Sequence, residues 1–400
     1  MKLLVLSNGH GEDLIAVRII KQLQTVTKKL ELVALPIVGE GYAYQKSNIA
    51  IAGRVQQMPS GGFIYMGGNP LWQDLRSGLI ALTIEQIKLV RQWGKEGGSI
   101  LAVGDIVPLF YAWLSGSKYA FVGTAKSEYY LRDETGWLKK TSPLEKSLGS
   151  VYLPWERWLM SSKACKGVFP RDSLTSSILQ RHGIPAYDLG NPMMDEIMGE
   201  IELKESSNLK ILILAGSRMP EALRNWRQIL ICASQIIKDN QQPEFLGAIA
   251  PALEVKPFIN AAVEQGWQLT LGQSATYTFH QDNASLILSQ SSYVQFLQEA
   301  KIAIAMAGTA TEEFVGLGKP VVIMPGEGPQ FTYAFAEAQS RLLGSSISMV
   351  ENTQQVSHAI SELVNNPQKL KQIALNGKRR MGKPGASLRI AECLVKQLGQ

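Results

Sequence analysis

The stretch from Lys301 to Gly328 constrains the fold of this 400-residue chain most strongly. Its segment Ile302 to Met306 is short, apolar and bordered by small residues, a pattern that predicts a buried strand. After the turn Ala307 to Ala310, a helix is predicted over Thr311 to Leu317, ended by a Gly-Lys-Pro sequence. A second buried strand is predicted from Val321 to Met324. Strand, turn, helix and strand form a βαβ unit, and such units bind ligands at the carboxyl ends of their strands.

The turn of this unit and the start of its helix have the chemistry of a nucleotide site. Gly308 and Ala310 are small enough to let a ligand approach the backbone, where the helix start offers free N–H donors. Glu312 and Glu313 follow. They would repel a phosphate, but a carboxylate accepts paired hydrogen bonds from a vicinal diol such as a ribose. Acids at a helix start also complement the helix dipole, and for either glutamate alone this alternative stands.

Composition excludes several classes of protein. Hydrophobic residues make up 45% of the chain and charged residues 18%, so the chain can bury a large core and is not expected to be disordered. The formal net charge of +6 comes without a Lys/Arg run or basic residues interleaved with aromatic ones, so nucleic acid is not an expected partner. A basic face for phosphorylated substrates or for an anionic membrane surface is favoured instead.

The cysteines and the apolar runs indicate where in the cell the protein is located. Cys165, Cys232 and Cys393 are widely separated, which predicts neither a disulfide framework nor a metal site and indicates a reducing cytoplasm. No uninterrupted apolar stretch reaches the length that a membrane-spanning helix needs. We therefore expect a cytoplasmic protein, soluble or held peripherally at the inner face of the membrane.

Two loops in the first half of the chain carry candidate catalytic residues. The predicted first strand runs into a glycine-bearing turn that contains His10 and Asp13, ahead of a helix predicted over Leu14 to Leu23. The turn lacks the dinucleotide-binding fingerprint. A buried strand at Ser99 to Val103 leads to Asp105, whose carboxylate is costly to bury unless it is used or paired. The alternative for Asp105 is an N-cap of the helix that follows.

The stretch from Ala307 to Pro325 resembles the nucleotide-sugar site of glycosyltransferases with the two-domain GT-B fold. It is most similar to that of the lipid A disaccharide synthases, which carry a G-T-A-x-x-E segment. The resemblance places Gly308, Thr309, Ala310 and Glu313 on the family's positions and implies that Glu313 binds the ribose. It therefore favours the diol interpretation for this glutamate.

Further segments extend the resemblance over nearly the whole chain. The sequence Ala215-Gly216-Ser217-Arg218 resembles the family's P-G-S-R, which implies that backbone amides, Ser217 and Arg218 hold the donor diphosphate. A plain glycine turn with a solvated arginine is the alternative. Asp105 matches the acid of the family's I-D-A-P segment, the residue usually assigned to the chemistry. In GT-B enzymes the segment after the second strand often contacts the donor sugar, and Gln330 is the candidate here.

The first loop and the end of the first domain depart from the family. Asp13-Leu14 aligns with the end of the family's G-E-A-S-G-D-L segment, whose other polar positions do not match. His10 is similar in placement to a histidine in the first loop of other GT-B enzymes that glycosylate lipid-linked acceptors. Asn191 stands where the family has histidine in G-H-[TP]-x-x-D and is expected to border the substrate. We expect Asp105 to be the catalytic base, with His10 as the alternative and Asp13 as a further catalytic candidate.

The resemblance implies an α/β GT-B fold in which two doubly wound, Rossmann-like domains face a central cleft. Residues 1–200 would form the acceptor-binding domain and residues 201–400 the UDP-sugar-binding domain, with the last helix returning to the first domain. The implied function is an inverting transfer of a sugar of the N-acetylglucosamine type from a UDP-sugar to a lipid or lipid-linked acceptor. No D-x-D sequence occurs, so neither a metal nor a cofactor is expected. The alternatives are a nucleotide-sugar 2-epimerase-like enzyme and a nucleotide-sugar-binding protein that has lost catalysis.

In the resembling family, part of the first domain meets the membrane. Phe63, Tyr65 and Trp72, which lie in a glycine-rich region, are the predicted membrane contacts. The expected partners are a UDP-sugar, a lipid or lipid-linked acceptor and an anionic membrane surface, and a homodimer is compatible with them.

Overall fold

A computed structural model of the chain describes residues 1–55, 79–197, 208–239, 242–273 and 276–399. These residues form two compact units. Unit 1 comprises Met1–Asp195 together with Lys383–Gln400, and unit 2 comprises Glu196–Gly382. Each unit is a largely parallel sheet with connecting helices, so the α/β fold class predicted from the sequence is confirmed.

Unit 1 is built on a parallel sheet of short apolar strands. Their bounds are β1 (Lys2–Ser7), β2 (Glu31–Pro36), β3 (Ser99–Gly104), β4 (Tyr119–Gly123) and β7 (Cys165–Pro170), and β5 (Arg132–Asp133) pairs separately with β6 (Gly136–Trp137). Within the described residues the sheet has the order β2-β1-β3-β4-β7. All residues of β3 and β4 are buried, as expected for a parallel sheet covered on both faces. The carboxyl ends of these strands meet at one edge of the sheet.

Helices connect and cover the strands of unit 1. Their bounds are α1 (His10–Val26), α2 (Tyr42–Lys46), α3 (Leu79–Lys95), α4 (Ile106–Leu114), α5 (Pro143–Leu148), α6 (Pro154–Met160), α7 (Ser173–Arg181) and, at the end of the chain, α15 (Ala386–Leu398). The first helix begins at His10 rather than at the predicted Leu14. The reason is Gly9, whose φ of 140° turns the chain directly after β1.

The last helix belongs to the core of unit 1. Ile390 and Leu394 of α15 are fully buried and share one apolar cluster with Val5 of β1 and Ile19 of α1. Asp195 holds the start of α15 in place. Its carboxylate accepts the backbone N–H groups of Gly385, Ala386 and Ser387 at 2.7, 3.0 and 2.7 Å. A carboxylate in this position satisfies the free donors of the first helical turn and complements the helix dipole.

Unit 2 contains a larger mixed sheet. Its strands are β8 (Lys210–Leu214), β9 (Glu244–Ala248), β10 (Gln268–Gln273), β11 (Thr276–Gln281), β12 (Ala284–Ser289), β13 (Ile302–Ala305), β14 (Val321–Ile323) and β15 (Ile347–Met349). The described strands have the order β10-β11-β12-β9-β8-β13-β14-β15. Strand β11 runs antiparallel to both of its neighbours, and the other pairs are parallel. The predicted βαβ unit is present, with β13 and β14 as its strands.

The helices of unit 2 follow the same alternation. They are α8 (Glu221–Lys238), α9 (Lys256–Glu264), α10 (Tyr293–Glu299), α11 (Thr309–Gly316), α12 (Tyr333–Leu343), α13 (Val356–Val364) and α14 (Pro367–Met381). The helix of the βαβ unit begins at Thr309, earlier than the predicted Thr311, because Gly308 already serves as its N-cap. The helix after β14 begins at Tyr333, which leaves Gln330 in the preceding loop.

A half-buried lysine interacts with the end of helix α10. The Lys319 Nζ donates hydrogen bonds to the carbonyl oxygens of Leu297, Gln298 and Ala300 at 2.7, 2.5 and 2.7 Å. These carbonyls lie at the carboxyl end of the helix, where the last backbone acceptors have no partner within the helix. Lys319 therefore fixes the orientation of α10 relative to the strand pair β13 and β14.

The segment from Ser127 to Pro143 is rich in polar and charged residues, yet it is partly buried. Ser127, Glu128 and Tyr129 are at most 1% exposed. The Glu128 carboxylate accepts hydrogen bonds from Ser150 and from the backbone of Val151, and it pairs with Arg132 at 2.8 Å. The charged residues of this segment satisfy one another inside the unit, and charge alone therefore did not indicate exposure.

The predicted membrane contacts Phe63, Tyr65 and Trp72 lie outside the described residues. Within the described part of the chain, no helix is both long enough and apolar enough to cross a bilayer. Cys165, Cys232 and Cys393 are free thiols.

Candidate functional site

In unit 2 the two predicted donor-binding loops lie side by side. Strands β8 and β13 are parallel neighbours, and Leu214 pairs with Ala305, so the loops that follow both strands leave the same edge of the sheet. Gly216 adopts a φ of 100°, and a Cβ at this position would lie 3.3 Å from the carbonyl oxygen of Met306. A glycine is therefore required for the close approach of the two loops. Ser217 in the loop after β8 and Thr309 at the start of α11 are exposed.

Two buried amides hold these loops in shape. Asn225 of α8 donates to the carbonyl oxygens of Ala215 and Met306 at 3.1 and 3.4 Å, which joins the ends of β8 and β13. Gln339 of α12 donates to the carbonyl oxygens of Ala307 and Gly308 at 3.1 and 3.2 Å. Neither residue was predicted as part of the site. Both act on backbone carbonyls, so the shape of the loops is set before any ligand arrives.

Glu313 is buried beside these loops. It is 7% exposed and lies one turn inside α11, the helix that starts at the small-residue turn. The hydroxyl of Tyr293, the first residue of α10, donates a hydrogen bond to its Oε2. A carboxylate accepts several hydrogen bonds at once, so Tyr293 can orient the group while it binds a diol. Tyr293 was not predicted; its partnership with Glu313 depends on the packing of α10 against α11.

A second buried glutamate organises the loop that carries Gln330. Glu221, the first residue of α8, is 5% exposed and accepts the backbone N–H of Phe331 at 2.6 Å and that of Gln330 at 3.2 Å. The loop is closed further by the N–H of Gly326, which donates to the carbonyl oxygen of Phe331 at 2.8 Å. Glu221 thus connects the start of α8, three residues after Arg218, to the loop after β14.

In unit 1 the polar groups gather at the carboxyl ends of three adjacent strands. Asn8 follows β1, Asp105 follows β3 and Thr124 follows β4. The Asn8 Nδ2 donates to Asp105 Oδ1 at 3.2 Å, and the Thr124 Oγ1 donates to Glu12 Oε1 at 3.4 Å. The sheet therefore brings together residues that are more than a hundred positions apart along the chain.

Asp105 has the role of a helix cap as well as a place in this cluster. Its Oδ1 accepts the backbone N–H of Val107 at 2.9 Å, so the N-cap alternative describes part of its function. Burial raises the pKa of the Asp105 carboxyl, although the hydrogen bonds from Val107 and Asn8 act against that rise. A carboxylate with a raised pKa takes up a proton more readily than an exposed one, which suits a general base.

Glu12 completes the cluster and was not predicted as a site residue. Its side chain lies against Gly104, where a Cβ would be 3.2 Å from the Glu12 Cγ, and Gly104 has a φ of 134°. Burial raises the pKa of Glu12, and the nearby Asp105 carboxylate raises it further. A carboxyl group beside a carboxylate gives up its proton less readily, so Glu12 is a second candidate for proton transfer in this cluster.

The other predicted catalytic residues are placed differently. Asp13 is 3% exposed and accepts a hydrogen bond from the Ser7 hydroxyl at 2.5 Å, and that hydroxyl lies 2.6 Å from the Tyr44 hydroxyl. Burial raises the pKa of Asp13 to about 7. Its carboxylate is thus bonded within the core rather than to Asp105. His10 is the first residue of α1, and the position of its side chain lies outside the description.

Asn191 is also buried. It is 3% exposed and caps the short 3₁₀ helix Pro192–Met194, where its Oδ1 accepts the N–H of Met193 at 3.0 Å. Arg18 of α1 donates to the carbonyl oxygens of Pro192 and Met193 and fixes this turn to unit 1. Asn191 therefore has a structural role in this turn, and its contact with a substrate stays a prediction.

No group of His, Cys, Asp and Glu side chains in the described ranges is arranged to hold a metal ion. Arg218 is exposed, and the amino end of α11 carries the positive end of the helix dipole.

Comparison with known proteins identifies the fold class. No protein-family model matches the sequence, and no curated protein matches it significantly. Among solved structures, UDP-GlcNAc 2-epimerase from Neisseria meningitidis bound to UDP-GlcNAc superposes with a TM-score of 0.59 and 17% identity, over 99% of this chain and 100% of that one. The S. aureus MnaA–UDP co-structure has a TM-score of 0.59 and 15% identity, over 100% and 97%. MurG from Acinetobacter baumannii has a TM-score of 0.58 and 14% identity, over 99% and 100%.

These similarities define the chain as an α/β protein of the GT-B type. At such identities they establish the fold alone. The narrower assignment to the lipid A disaccharide synthases stays a prediction.

Proposed function

We propose that the chain is an enzyme that acts on a UDP-sugar, with the nucleotide bound by unit 2. The observation that carries the proposal is the buried carboxylate of Glu313 at the edge of the sheet where the loops after β8 and β13 meet. A carboxylate accepts several hydrogen bonds at once, so Glu313 can accept from the two hydroxyls of a ribose diol in addition to Tyr293. Solved structures with this fold include proteins bound to UDP and to UDP-GlcNAc, which supports the same ligand class here.

The remaining groups of unit 2 suit the diphosphate and the sugar. Ser217 and Arg218 offer a hydroxyl and a permanent positive charge, and the backbone N–H groups at Thr309 and Ala310 lie at the positive end of α11. When the bond between the sugar and the diphosphate breaks, negative charge develops on the diphosphate, and these groups stabilise it. Gln330, in the loop held by Glu221, is the candidate for contact with the sugar.

Unit 1 supplies the proton-transfer groups in this proposal. Asp105 and Glu12 are carboxyl groups in one polar cluster, and burial raises the pKa of each. General acid–base catalysis is most efficient when the pKa of the catalytic group approaches the working pH. One carboxyl can therefore accept a proton from the substrate while the other holds one.

Within the UDP-sugar class, 2-epimerisation is the first candidate reaction. Inversion at C2 of the sugar requires that one group removes the C2 proton and that a proton returns to the opposite face. A pair of carboxyl groups with raised pKa values meets this requirement, and several solved structures with this fold are UDP-GlcNAc 2-epimerases.

Inverting glycosyl transfer to a lipid or lipid-linked acceptor is the second candidate. The resemblance of Ala307 to Pro325 to the lipid A disaccharide synthases favours it, and MurG and a glycosyltransferase also share the fold. In that reaction Asp105 would remove the proton of the acceptor hydroxyl. A nucleotide-sugar-binding protein without catalysis is the remaining alternative.

One set of incubations separates these functions. The purified chain is incubated with UDP-GlcNAc in D₂O, with and without a lipid-linked acceptor, and the products are analysed by NMR and mass spectrometry. Deuterium at C2 together with the 2-epimer identifies an epimerase, whereas UDP released only with the acceptor identifies a transferase. Binding of UDP without either product identifies a binding protein, and absence of UDP binding refutes the whole proposal.

The nucleotide assignment has its own test. Glu313→Gln should weaken UDP binding by about 1.5–3 kcal/mol, because it removes a charged acceptor from the ribose. Glu312→Gln, its neighbour on the same helix, is the matched control and should bind UDP normally. Asp105→Asn should lower turnover at least ~100-fold and leave UDP affinity nearly unchanged. Unchanged UDP affinity in Glu313→Gln, measured by calorimetry, would contradict the ribose assignment.

A further inference from the structure

One exposed aromatic side chain lies beside the turn where α11 begins. Phe335 of α12 is 42% exposed, and a Cβ placed on Gly308 would lie 3.5 Å from the Cζ of its ring. Carbon atoms at this distance are in van der Waals contact, so the ring directly borders the backbone at the amino end of α11. Phe335 was not predicted as a site residue. Its ring is nevertheless part of the surface that a donor bound at this turn would meet.

The ring of Phe335 is held in place although it is exposed. It packs against the ring of Phe331, which is 3% exposed, with 5.4 Å between the two ring centroids. The backbone N–H of Phe331 donates to Glu221 at 2.6 Å. Thr332 caps the start of α12, where its hydroxyl accepts the backbone N–H of Phe335 at 3.3 Å. Both aromatic residues are thus fixed through their backbone as well as through their rings.

Helix α12 is also attached to the turn itself. Gln339 lies four positions after Phe335 and therefore on the same side of the helix. Its amide donates to the carbonyl oxygens of Ala307 and Gly308 at 3.1 and 3.2 Å, which sets the distance between the ring and the turn before a ligand arrives. An aromatic side chain that is already fixed loses little conformational entropy when a ligand covers it, so it is well suited to a binding surface.

The order of groups in a nucleotide sugar determines which of them reaches this ring. The diphosphate connects the ribose to the sugar, whereas the base is attached to the far side of the ribose. In the proposed function the ribose binds Glu313 and the diphosphate binds the amino end of α11. Gly308 lies five positions before Glu313, or about 7.5 Å along the helix axis. Phe335, which borders Gly308, is therefore at the diphosphate and away from the ribose, where the sugar begins.

We propose that Phe335 forms the apolar wall of the sugar subsite and selects a hexose with equatorial ring substituents. In an α-linked donor such as UDP-GlcNAc, the diphosphate leaves one face of the hexose and the opposite face carries only C–H groups. That face packs against the aromatic ring, and both surfaces are removed from water. Pockets for small ligands combine apolar surface of this kind with a few polar groups that fix the orientation of the ligand. Phe335 supplies the apolar surface, and Gln330, in the loop before α12, supplies a hydrogen-bonding amide.

This role of Phe335 rests on the proposed function, because it requires the nucleotide to bind unit 2. It deepens that function by naming the class of sugar and the side chain that selects it. Both candidate reactions start from the same bound donor, so the role is the same in 2-epimerisation and in glycosyl transfer.

The test is calorimetry of the full chain with UDP, UDP-GlcNAc and UDP-GalNAc. Phe335→Ala should weaken the binding of UDP-GlcNAc at least ~5-fold and leave the affinity for UDP within about twofold, because only the sugar contacts the ring. Phe335→Tyr keeps the ring and should bind both ligands as the natural chain does. UDP-GalNAc places an axial hydroxyl on the face that packs against Phe335, so the natural chain should bind it more weakly than UDP-GlcNAc. Phe335→Ala should reduce this preference.

Saturation-transfer NMR gives a second readout. Irradiation of the aromatic protons of the natural chain should transfer saturation to the ring protons of the sugar in UDP-GlcNAc. Phe335→Ala should lower the transfer to the sugar relative to the transfer to the ribose. A merely structural role of Phe335 would leave this ratio unchanged.

Tyr333→Ala is the matched control. Tyr333 belongs to the same turn of α12 and is 59% exposed, but it lies about 200° around the helix from Phe335. This variant should bind UDP and UDP-GlcNAc as the natural chain does. Circular dichroism melting shows that each variant is folded.

Several results would overturn this role of Phe335. Equal losses of affinity for UDP and UDP-GlcNAc in Phe335→Ala would do so, because the ring would then contact the nucleotide or only shape the loop. Unchanged affinity for UDP-GlcNAc, the same loss in Tyr333→Ala, or equal binding of UDP-GlcNAc and UDP-GalNAc by the natural chain would also contradict it. Binding of UDP without binding of UDP-GlcNAc would overturn this role alone. Absence of UDP binding by the natural chain would refute the proposed function and this role with it.

Discussion

The buried carboxyl of Asp13 should make the stability of unit 1 depend on pH. Burial raises its pKa from 3.8 to about 7, although the Ser7 hydroxyl donates to it. Below pH 4 the Asp13 carboxyl is neutral in both the folded and the unfolded chain, so its burial carries no penalty for a buried charge. Between pH 4 and 7 the folded chain binds the proton that the unfolded chain has lost, so stability falls as the pH rises. Each unit of pKa shift changes the unfolding free energy by about 1.4 kcal/mol, so the loss of stability is about 4 kcal/mol once the pH is above 7.

The variant Asp13→Asn isolates this loss of stability, because it keeps the shape of the side chain and removes its negative charge. Urea unfolding followed by tryptophan fluorescence is measured for the natural chain and the variant at pH 4, 6 and 8. The comparison at each pH cancels the titration of all other groups. The variant should gain stability relative to the natural chain as the pH rises, by about 4 kcal/mol in total. A difference that stays constant within about 0.5 kcal/mol over this range would refute the reasoning.

Further predictions concern residues that shape the site. Glu221→Gln should lower the unfolding free energy of unit 2 by about 1–3 kcal/mol, because the backbone N–H groups of the loop after β14 lose a charged acceptor. The same variant should weaken UDP binding in calorimetry. A normal unfolding free energy together with normal UDP binding would disprove the role of Glu221 in shaping this loop. Gly104→Ala should reduce turnover, because Gly104 has a strained φ and the new Cβ would meet the Glu12 side chain. The control Gly97→Ala, at a φ of 78° with open space around it, should lower stability and leave turnover unchanged. Equal turnover of the two variants in kinetic assays would contradict the prediction. Lys319→Met should destabilise α10 by about 1–3 kcal/mol, because the carbonyl groups at the end of this helix lose their hydrogen-bond donor. Amide hydrogen exchange in α10 should therefore become faster. Unchanged exchange would argue against a role of Lys319 in holding the helix end.

The sheets were largely predictable from the sequence. Buried parallel strands are continuous apolar runs, so β3, β8 and β13 appear in the sequence as short hydrophobic segments between small or polar residues. Strand β11 was missed because Thr276–Gln281 alternates polar and aromatic residues and is too short for its period to stand out. The start of α1 was misplaced because a His-Gly-Glu-Asp sequence has weak helix propensity, which packing against the sheet overrides.

The candidate site was predictable only where a residue follows a strand directly. Asp105 and the turns at Gly216 and Gly308 lie at strand ends, and the order of elements alone places them at the ligand edge. Glu12 and Glu221 stand in first helical turns, where acids are common for electrostatic reasons, so their role was not visible. Glu221 reaches the backbone of Phe331, which is 110 positions away, and only the folded chain shows this contact.

The placement of α15 has a consequence for how the protein can be divided and made. Unit 2 is a continuous piece of chain inserted into unit 1, so a ribosome completes unit 2 before it delivers the helix that unit 1 lacks. A fragment that ends at Asp195 would leave the apolar partners of Ile390 and Leu394 open to water and should aggregate. Since Asp195 Oδ1 lies 2.7 Å from the N–H of Gly385, a short linker could join the two pieces of unit 1 directly. Such a chain, expressed beside an uninterrupted unit 2, would give both halves of the molecule as separate folded proteins.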